Sequence, residues 1–175
     1  TYFVEVTDAQ SKGSEAHWTY IFLLSRASRV YPLDMEPNES SETAQNIEMI
    51  PLETESESAY AVGYQMGYLE STSDEDWYLF PHEHEGGQLI VCLNSTLHGS
   101  TGAPMVELFD QEGTPLEEQT CDTGANPNLS IVLDEIPLGN ITAKVTDVNA
   151  SSASSDWYQM LVYSTSFEAS SFACP

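Results

Sequence analysis

The chain has 175 residues, of which 41% are hydrophobic, which is enough for one domain of ordinary size with a buried core. It carries 28 acidic side chains against 4 basic ones and has a formal net charge of −24, so it cannot build the basic patch that nucleic-acid binding requires. No apolar run reaches the length of a membrane-spanning helix.

The excess of carboxylates has two interpretations. It can form a solvated surface whose self-repulsion keeps an exported protein soluble. Alternatively, some of the carboxylates cluster to hold a hard cation such as Ca²⁺, which takes roughly six to eight oxygen ligands.

A degenerate repeat opens the chain, because residues 1–25 align without a gap with residues 140–164. Val6-Thr7-Asp8 matches Val145-Thr146-Asp147, and each copy has one Trp before its second strand-like run. A repeat of this length indicates tandem domains rather than short solenoid units. We therefore expect the last two strands of a preceding unit, a linker, one complete unit and a second linker or tail, at residues 1–25, 26–35, 36–165 and 166–175.

Short runs of alternating apolar residues, separated by Gly, Pro, Asn and Ser, predict strands along most of the chain. Apart from a short turn near residues 41–46, helical periodicity is nearly absent. Ile141, Ala143 and Val145 share one face of their strand, and residues 110–113 predict a hairpin turn. The pattern predicts an all-β fold, a sandwich or barrel, with strands at residues 59–69, 76–81, 88–94, 104–110, 114–121, 128–134, 140–147 and 156–164.

Cysteines and sequons bear on the compartment. Cys92, Cys121 and Cys174 lack the CxxC spacing of zinc sites and predict one disulfide with one thiol left over. The sequence does not choose the pair, although Cys121 with Cys92 or with Cys174 is a reasonable pairing. The chain is also rich in N-x-S/T sequons, which predict a glycoprotein if the source is a eukaryotic secretory protein. The sequon asparagines are Asn38, Asn94, Asn128, Asn140 and Asn149.

Two acidic clusters are candidates for a cation site. The first, residues 34–40, has Asp34, Glu36 and Asn38 at alternating positions, so an extended chain would place three oxygen donors on one face. The second, residues 73–78, directly precedes a predicted strand. Two such segments that meet at one end of a sandwich can supply the oxygen ligands that Ca²⁺ needs.

The order of the motifs along residues 34–164 resembles that of the bacterial pre-peptidase C-terminal domain. Residues 36–40 (EPNES) match the opening motif of that family, and residues 74–80 (DEDWYLF) match its strand with the pattern D-W/Y-Y-x-F. Residues 86–91 and 107–113 match its later strand and turn. The family is similar in fold to the collagen-binding modules of clostridial collagenases. The resemblance therefore implies a jelly-roll-like antiparallel β-sandwich that is a non-catalytic appendage of an exported protein.

The resemblance also implies a metal site. In the collagen-binding relatives, calcium is held by the acidic linker and by the acidic turn before the matching strand. Two positions depart from the pattern, because Glu39 stands where Asp is commoner and Ser73 stands where an acidic residue is frequent. Carried over by motif position, the candidate Ca²⁺ ligands are Asp34, Glu36, Asn38, Glu39, Asp74 and Asp76.

Enzymatic chemistry has little support in the sequence. The run of residues 82–85 (HEHE) could place two imidazoles on one strand face, as a transition metal requires, but the resemblance puts it in a variable loop. No histidine has a Ser or Cys in a recognised nucleophile context. We therefore predict that the chain is not an enzyme.

The aromatic residues have two interpretations. Trp77, like Trp18 and its match Trp157, is expected to be structural. A collagen-type ligand would need an exposed aromatic platform on one sheet, to which Tyr64, Tyr68 and Tyr78 are candidates to contribute.

Together these features predict a non-catalytic module of a multi-domain secreted or cell-surface protein. Its role would be adhesion, substrate targeting or spacing, and its partner an extracellular protein or polysaccharide, or copies of itself. The alternative is a self-assembling subunit of a filament or surface layer. Residues 21–24 are apolar on both faces of the second strand of residues 1–25, and such a strand needs a partner sheet, which another chain can supply by strand addition.

Overall fold

The computed structural model describes residues 33–53, 59–95, 100–120, 128–134, 136–148 and 156–166. The predictions for residues 1–25 and for most of the two linkers lie outside this part of the chain. The described residues contain no helix, and hence none long and apolar enough to cross a membrane. They form the strands β1 (Gln45–Asn46), β2 (Ile50–Glu53), β3 (Ala59–Tyr68), β4 (Asp76–His82), β5 (Gln88–Asn94), β6 (Pro104–Phe109), β7 (Pro115–Thr120), β8 (Asn128–Asp134), β9 (Gly139–Asp147) and β10 (Trp157–Thr165).

The strands form two sheets that pack face to face. The β4 sheet has the order β1-β4-β9-β6-β7, and the β3 sheet has the order β2-β3-β10-β5-β8. Paired strands are antiparallel, except that β1 runs parallel to β4. The eight strands from β3 to β10 have the connectivity of a jelly roll, with β3-β10-β5-β8 facing β4-β9-β6-β7. The predicted jelly-roll-like β-sandwich is confirmed.

The core lies between the sheets and follows the alternation of each strand. In β4, Tyr78 and Phe80 point inward and have no exposed surface, and Tyr158 of β10 faces them from the other sheet. Burial of one such large side chain contributes about 1.5–3 kcal/mol. In β9, Ile141, Ala143 and Val145 are all buried, which confirms that they share the inner face. The strand residues between these buried positions, among them Trp77, Leu79 and Thr142, form the outer face of the β4 sheet.

The predicted hairpin turn at residues 110–113 joins β6 to β7. The Asp110 carboxylate accepts hydrogen bonds from the N–H groups of Glu112 (2.9 Å) and Thr114 (2.8 Å). Gly113 has a φ of 80° and donates to the Asp110 carbonyl (3.0 Å). A side chain is disfavoured at this backbone angle, which explains the glycine.

Two short strands and one turn differ from the sequence-based expectation. Residues 41–43 form a turn that leads directly into β1, and β2 adds a further short strand at the edge of the β3 sheet. Long-range contacts hold β1, because the Gln45 amide accepts from the Met35 N–H (2.8 Å) and donates to the Leu33 carbonyl (3.3 Å). Such contacts leave no periodic signal in so short a segment.

The disulfide and sequon predictions are tested in part. Cys92 of β5 is buried and disulfide-bonded, whereas the other two cysteines lie outside the described residues. Asn38 and Asn94 are 0% and 2% exposed, so neither can carry a glycan in the folded domain. Asn140 is exposed.

Candidate metal centre

Residues 33–38, here called the lead-in segment, contact both sheets at one end of the sandwich. Leu33 forms a parallel bridge with Met66 of β3, and the Asp34 N–H donates to the Met66 carbonyl (2.9 Å). Further along, the Asn38 carbonyl accepts a hydrogen bond from the N–H of Trp77 in β4 (2.8 Å). The segment is thereby tied to β3 and to β4 at the point where β4 begins.

Three carboxylates converge at this point. One carboxylate oxygen each from Asp34, Glu36 and Asp76 lies within 4.8 Å of the other two. Asp34 is half-buried, Glu36 is exposed and Asp76 has no exposed surface. Asp34 Oδ2 also accepts a hydrogen bond from the Tyr68 N–H (3.0 Å), which fixes this carboxylate against the end of β3. We call these three residues the Asp76 cluster.

A tyrosine of the β3 sheet holds one oxygen of Asp76. The Tyr158 hydroxyl donates to Asp76 Oδ2 (2.5 Å), and the Tyr78 hydroxyl lies 2.5 Å from that of Tyr158. Gly67 of β3 makes this possible, because a Cβ there would collide with the Tyr158 hydroxyl. Asp76 Oδ1 is buried and has no hydrogen-bond partner. One carboxylate oxygen is therefore satisfied by the protein and the other is not.

Burial makes ionisation of the cluster costly. It raises the pKa of the Asp76 carboxyl to about 8; the Tyr158 hydrogen bond lowers this pKa, and the charges of Asp34, Asp74 and Glu36 raise it. Burial also raises the pKa of Asp34 and of Glu36, and in both cases neighbouring carboxylates add to the effect. A cation bound beside these groups would lower their pKa values, because it favours the charged forms.

Asn38 adds a second unsatisfied buried side chain at the same place. It is fully buried, and neither its amide oxygen nor its amide nitrogen has a partner. Its backbone N–H donates to Glu36 Oε2 (3.2 Å). An unsatisfied buried polar group costs about 1–3 kcal/mol, so the Asn38 oxygen is suited to act as a ligand for a cation.

The structure brings together some of the six predicted ligands. Asp34, Glu36 and Asp76 form the cluster, and Asn38 is linked to it through Glu36. Asp74 is half-buried and its Oδ2 accepts from the Glu70 N–H (2.5 Å), so this oxygen already serves the turn before β4. Glu39 is exposed and does not belong to the cluster. Metal ligation by any of the six stays a prediction.

The histidine pair at the end of β4 has a different environment. His82 is buried, its Nδ1 lies 2.9 Å from Ser164 Oγ, and its ring meets that of His84 edge-on with centroids 6.4 Å apart. Among the described residues, no third potential ligand gathers with this pair. The pair therefore offers a weaker metal site than the Asp76 cluster.

The three tyrosines considered for an aromatic platform do not share a face. Tyr78 is fully buried between the sheets, whereas Tyr64 and Tyr68 belong to the other sheet. The outer face of the β4 sheet instead carries Trp77, whose ring stacks on that of Phe109 with centroids 5.7 Å apart. The alternation of β4 places Trp77 on the face opposite to that of Asp76, but it gives no signal that the ring pairs with Phe109 of β6.

Comparison with known proteins finds likenesses among solved structures but no family match. No family model and no curated protein matches the chain. Among solved structures, the chain is similar to the C-terminal CBM6, a carbohydrate-binding module, of LamC, a marine laminarinase from Zobellia galactanivorans. The match has 12% sequence identity and a TM-score of 0.30, and covers 67% of this chain and 87% of that one. Membership of the pre-peptidase C-terminal family therefore stays a prediction.

Proposed function

We propose that this chain is a non-catalytic β-sandwich module that binds one Ca²⁺ ion where the lead-in segment meets β4. The observation that carries the proposal is Asp76, a fully buried carboxylate with one unpartnered oxygen beside two further carboxylates. Asp34, Glu36 and Asp76 would hold the ion, and the Asn38 amide oxygen would be a fourth ligand.

The donor set favours a hard cation. Every candidate ligand atom is a carboxylate or amide oxygen, and the cluster contains no imidazole or thiolate, which transition metals prefer. A divalent ion would also offset the mutual repulsion of three carboxylates held within 4.8 Å of one another. Both considerations support calcium rather than zinc or copper.

The role of the ion would be structural. Asp34 is bonded to β3 and Asp76 belongs to β4, so an ion between them would crosslink the lead-in segment with both sheets. This would fix the direction in which the preceding part of the chain leaves the sandwich. A module of this kind suits adhesion, substrate targeting or the spacing of neighbouring domains.

An extracellular or cell-surface location is part of the proposal. The Cys92 disulfide supports it, because disulfides persist in oxidising compartments. The proposed Ca²⁺ site would suit such a location, since extracellular modules bind Ca²⁺ with dissociation constants of about 10⁻⁴–10⁻³ M.

Isothermal titration of metal-free protein with CaCl₂, paired with thermal unfolding, tests the proposal. We expect a single binding event and, at a hundredfold excess over the dissociation constant, a stabilisation of about 2.7 kcal/mol. Asp76→Asn should abolish both the heat of binding and the stabilisation. Asp110→Asn, in the turn whose backbone already hydrogen-bonds the carboxylate, should leave both unchanged. Absence of heat and of stabilisation up to a hundredfold excess over about 10⁻³ M Ca²⁺, the weakest dissociation constant expected, would refute the proposal, and an equal response to MgCl₂ would refute the choice of calcium.

The alternative, a self-assembling subunit joined through residues 1–25, stays a prediction because those residues lie outside the described part of the chain. Light scattering after size-exclusion chromatography, with and without residues 1–25, tests it. A monomer in both cases would contradict strand exchange.

A further inference from the structure

We infer that the outer face of the β4 sheet binds a neutral saccharide in a groove beside Trp77 and Phe109. This inference rests on the proposed role as a binding module and specifies its ligand class, but it does not require the cation. The groove has a volume of about 510 Å³, which falls within the roughly 300–1,000 Å³ of small-ligand sites. Its walls include Ser41, Trp77, Phe109, Gln111, Asn140 and Thr142.

The register of three strands brings the two aromatic rings together. Leu79 of β4 lies opposite Thr142 of β9, which in turn lies opposite Phe109 of β6. The pairing of β6 with β7 shifts between Leu108 and Phe109, an irregularity of the kind that redirects a side chain. Trp77, two residues before Leu79 in β4, lies diagonally across β9 from Phe109, and the two rings stack with planes 22° apart.

Charged neighbours fix the orientation of the Trp77 ring. Its Nε1 donates to Glu75 Oε2 (3.2 Å), and Lys144 Nζ lies 5.8 Å from the ring centroid. Lys144 is itself paired with Glu107 (2.7 Å) and Glu75 (3.7 Å). Because these contacts form within the protein, the ring is positioned before any ligand arrives, which lowers the entropic cost of binding.

The lining suits a neutral ligand. The polar side chains that line the groove include hydroxyls and amides, and of the described residues that line it, none is Lys, Arg or His. The carboxylates of Asp110 and Glu112 in the lining, together with the net charge of −24, disfavour an anionic ligand. The same charges would attract a cationic peptide, which is therefore the competing ligand in the test.

A saccharide matches the two kinds of surface in the groove. Its apolar C–H face can pack against the aromatic side chains, and its hydroxyls can both donate to and accept from amides such as those of Gln111 and Asn140. A second, smaller cavity of about 170 Å³ shares Gln111 and Asn140 with the groove and continues to Pro137 and Leu138. The ligand is therefore expected to extend beyond a single sugar ring.

Affinity electrophoresis through gels that contain a neutral polysaccharide tests the inference. The probes are a mixed-linkage β-glucan, a galactomannan and an arabinoxylan, with alginate as an anionic comparison and a Lys-rich peptide in a separate titration. Protein from a host without N-glycosylation is required, because Asn140 is a sequon residue in the groove. We expect at least one neutral polysaccharide to retard the protein.

Two variants and one matched control assign the binding to the groove. Phe109→Ala and the exposed Asn140→Ala should each weaken binding about tenfold, whereas Val132→Ala, at an exposed position of the β3 sheet, should not. Binding to none of the neutral probes, preference for alginate or the peptide, or unchanged binding by both groove variants would overturn the inference. Ca²⁺ titration of the same samples tests the metal proposal separately, because Ca²⁺ binding and saccharide binding can each be lost while the other is retained.

Discussion

The start of β4 and the turn between β6 and β7 are both acidic, but their carboxylates differ in burial and in hydrogen bonding. At the turn, Asp110 is solvated and accepts two backbone hydrogen bonds, and the Thr114 N–H is the main cause that lowers its pKa. At the start of β4, burial raises the pKa of Asp76, and one of its oxygens has no partner. Acidity alone does not distinguish a cation site; unsatisfied buried oxygens do.

The same contrast separates structural from functional acidity in the chain as a whole. A carboxylate that closes a turn accepts hydrogen bonds from neighbouring backbone N–H groups, so the local sequence is enough to predict it. A carboxylate that is buried beside others is costly unless something compensates it. If this difference holds, changes at the start of β4 should cost more stability than changes at the turn.

The largest effect should be a pH dependence of stability in the metal-free protein. The pKa of Asp76 is about 8 in the folded state against 3.8 ordinarily, so the folded state retains a proton that the unfolded state loses. This contribution is present below pH 3.8 and is lost as the pH rises through 8, at a cost on the order of 5 kcal/mol. Urea unfolding at pH 5 and pH 8 measures it. The dependence should be much weaker in Asp76→Asn, and an equal dependence in this variant would contradict the assignment.

A smaller loss should follow removal of the hydroxyl that holds Asp76. Tyr158→Phe leaves Asp76 Oδ2 and the Tyr78 hydroxyl without their shared partner while the core keeps its shape. We expect a destabilisation of about 1–3 kcal/mol at pH 5 by urea unfolding. The control is Tyr68→Phe at the exposed end of β3, which should cost less. Equal losses would show that the Tyr158 hydroxyl has no special role.

His82 should produce a modest effect in acid, opposite in sign to that of Asp76. Burial lowers its pKa below the ordinary 6.5, and the neighbouring His84 lowers it further. The unfolded state therefore binds a proton first, and stability is lost as the pH falls below 6.5, by at most about 1.4 kcal/mol per pH unit. Comparison of wild type with His82→Asn between pH 7 and 5.5 isolates this loss. A constant difference between the two proteins over that range would argue against it.

The smallest effect is expected at the exposed turn. Asp110→Ala removes the acceptor of two backbone hydrogen bonds, whereas Asp110→Asn retains a carbonyl oxygen there. Thermal unfolding should show a small loss for the alanine variant and less for the asparagine variant, with the Ca²⁺ response unchanged in both. A change in Ca²⁺ affinity would erase the distinction between the two acidic regions.

The architecture was largely predictable because the strands are long and alternate regularly. Residues 140–147 alternate cleanly between apolar and other side chains, and the strands predicted here and at residues 76–81 both occur within two residues of the predicted bounds. The Asp110 turn was also predictable, because its hydrogen bonds join residues that are close in sequence. β1 and β2 were not predictable, because contacts with residues distant in sequence hold them and so short a segment carries no periodic signal.

The candidate site was predictable only in part. Alternation and motif order pointed to Asp34, Glu36 and Asp76, but nothing in the sequence shows that Tyr158 reaches across from the other sheet to Asp76. The burial of Asn38, likewise, depends on how the lead-in segment packs. The groove was missed because Phe109 and Trp77 lie on strands separated by β9, a relationship that only the sheet order defines.

The adjacency of Asp76 and Trp77 in β4 makes both sites dependent on one strand register. Consecutive strand residues face opposite sides, so the cluster and the groove lie one peptide bond apart on the two faces of the sheet. A slip of β4 by a single residue would carry Trp77 inward and Asp76 outward, and both sites would be lost together. A substitution elsewhere in one site can therefore leave the other site intact. A one-residue insertion or deletion within residues 76–82 would instead disrupt both sites at once.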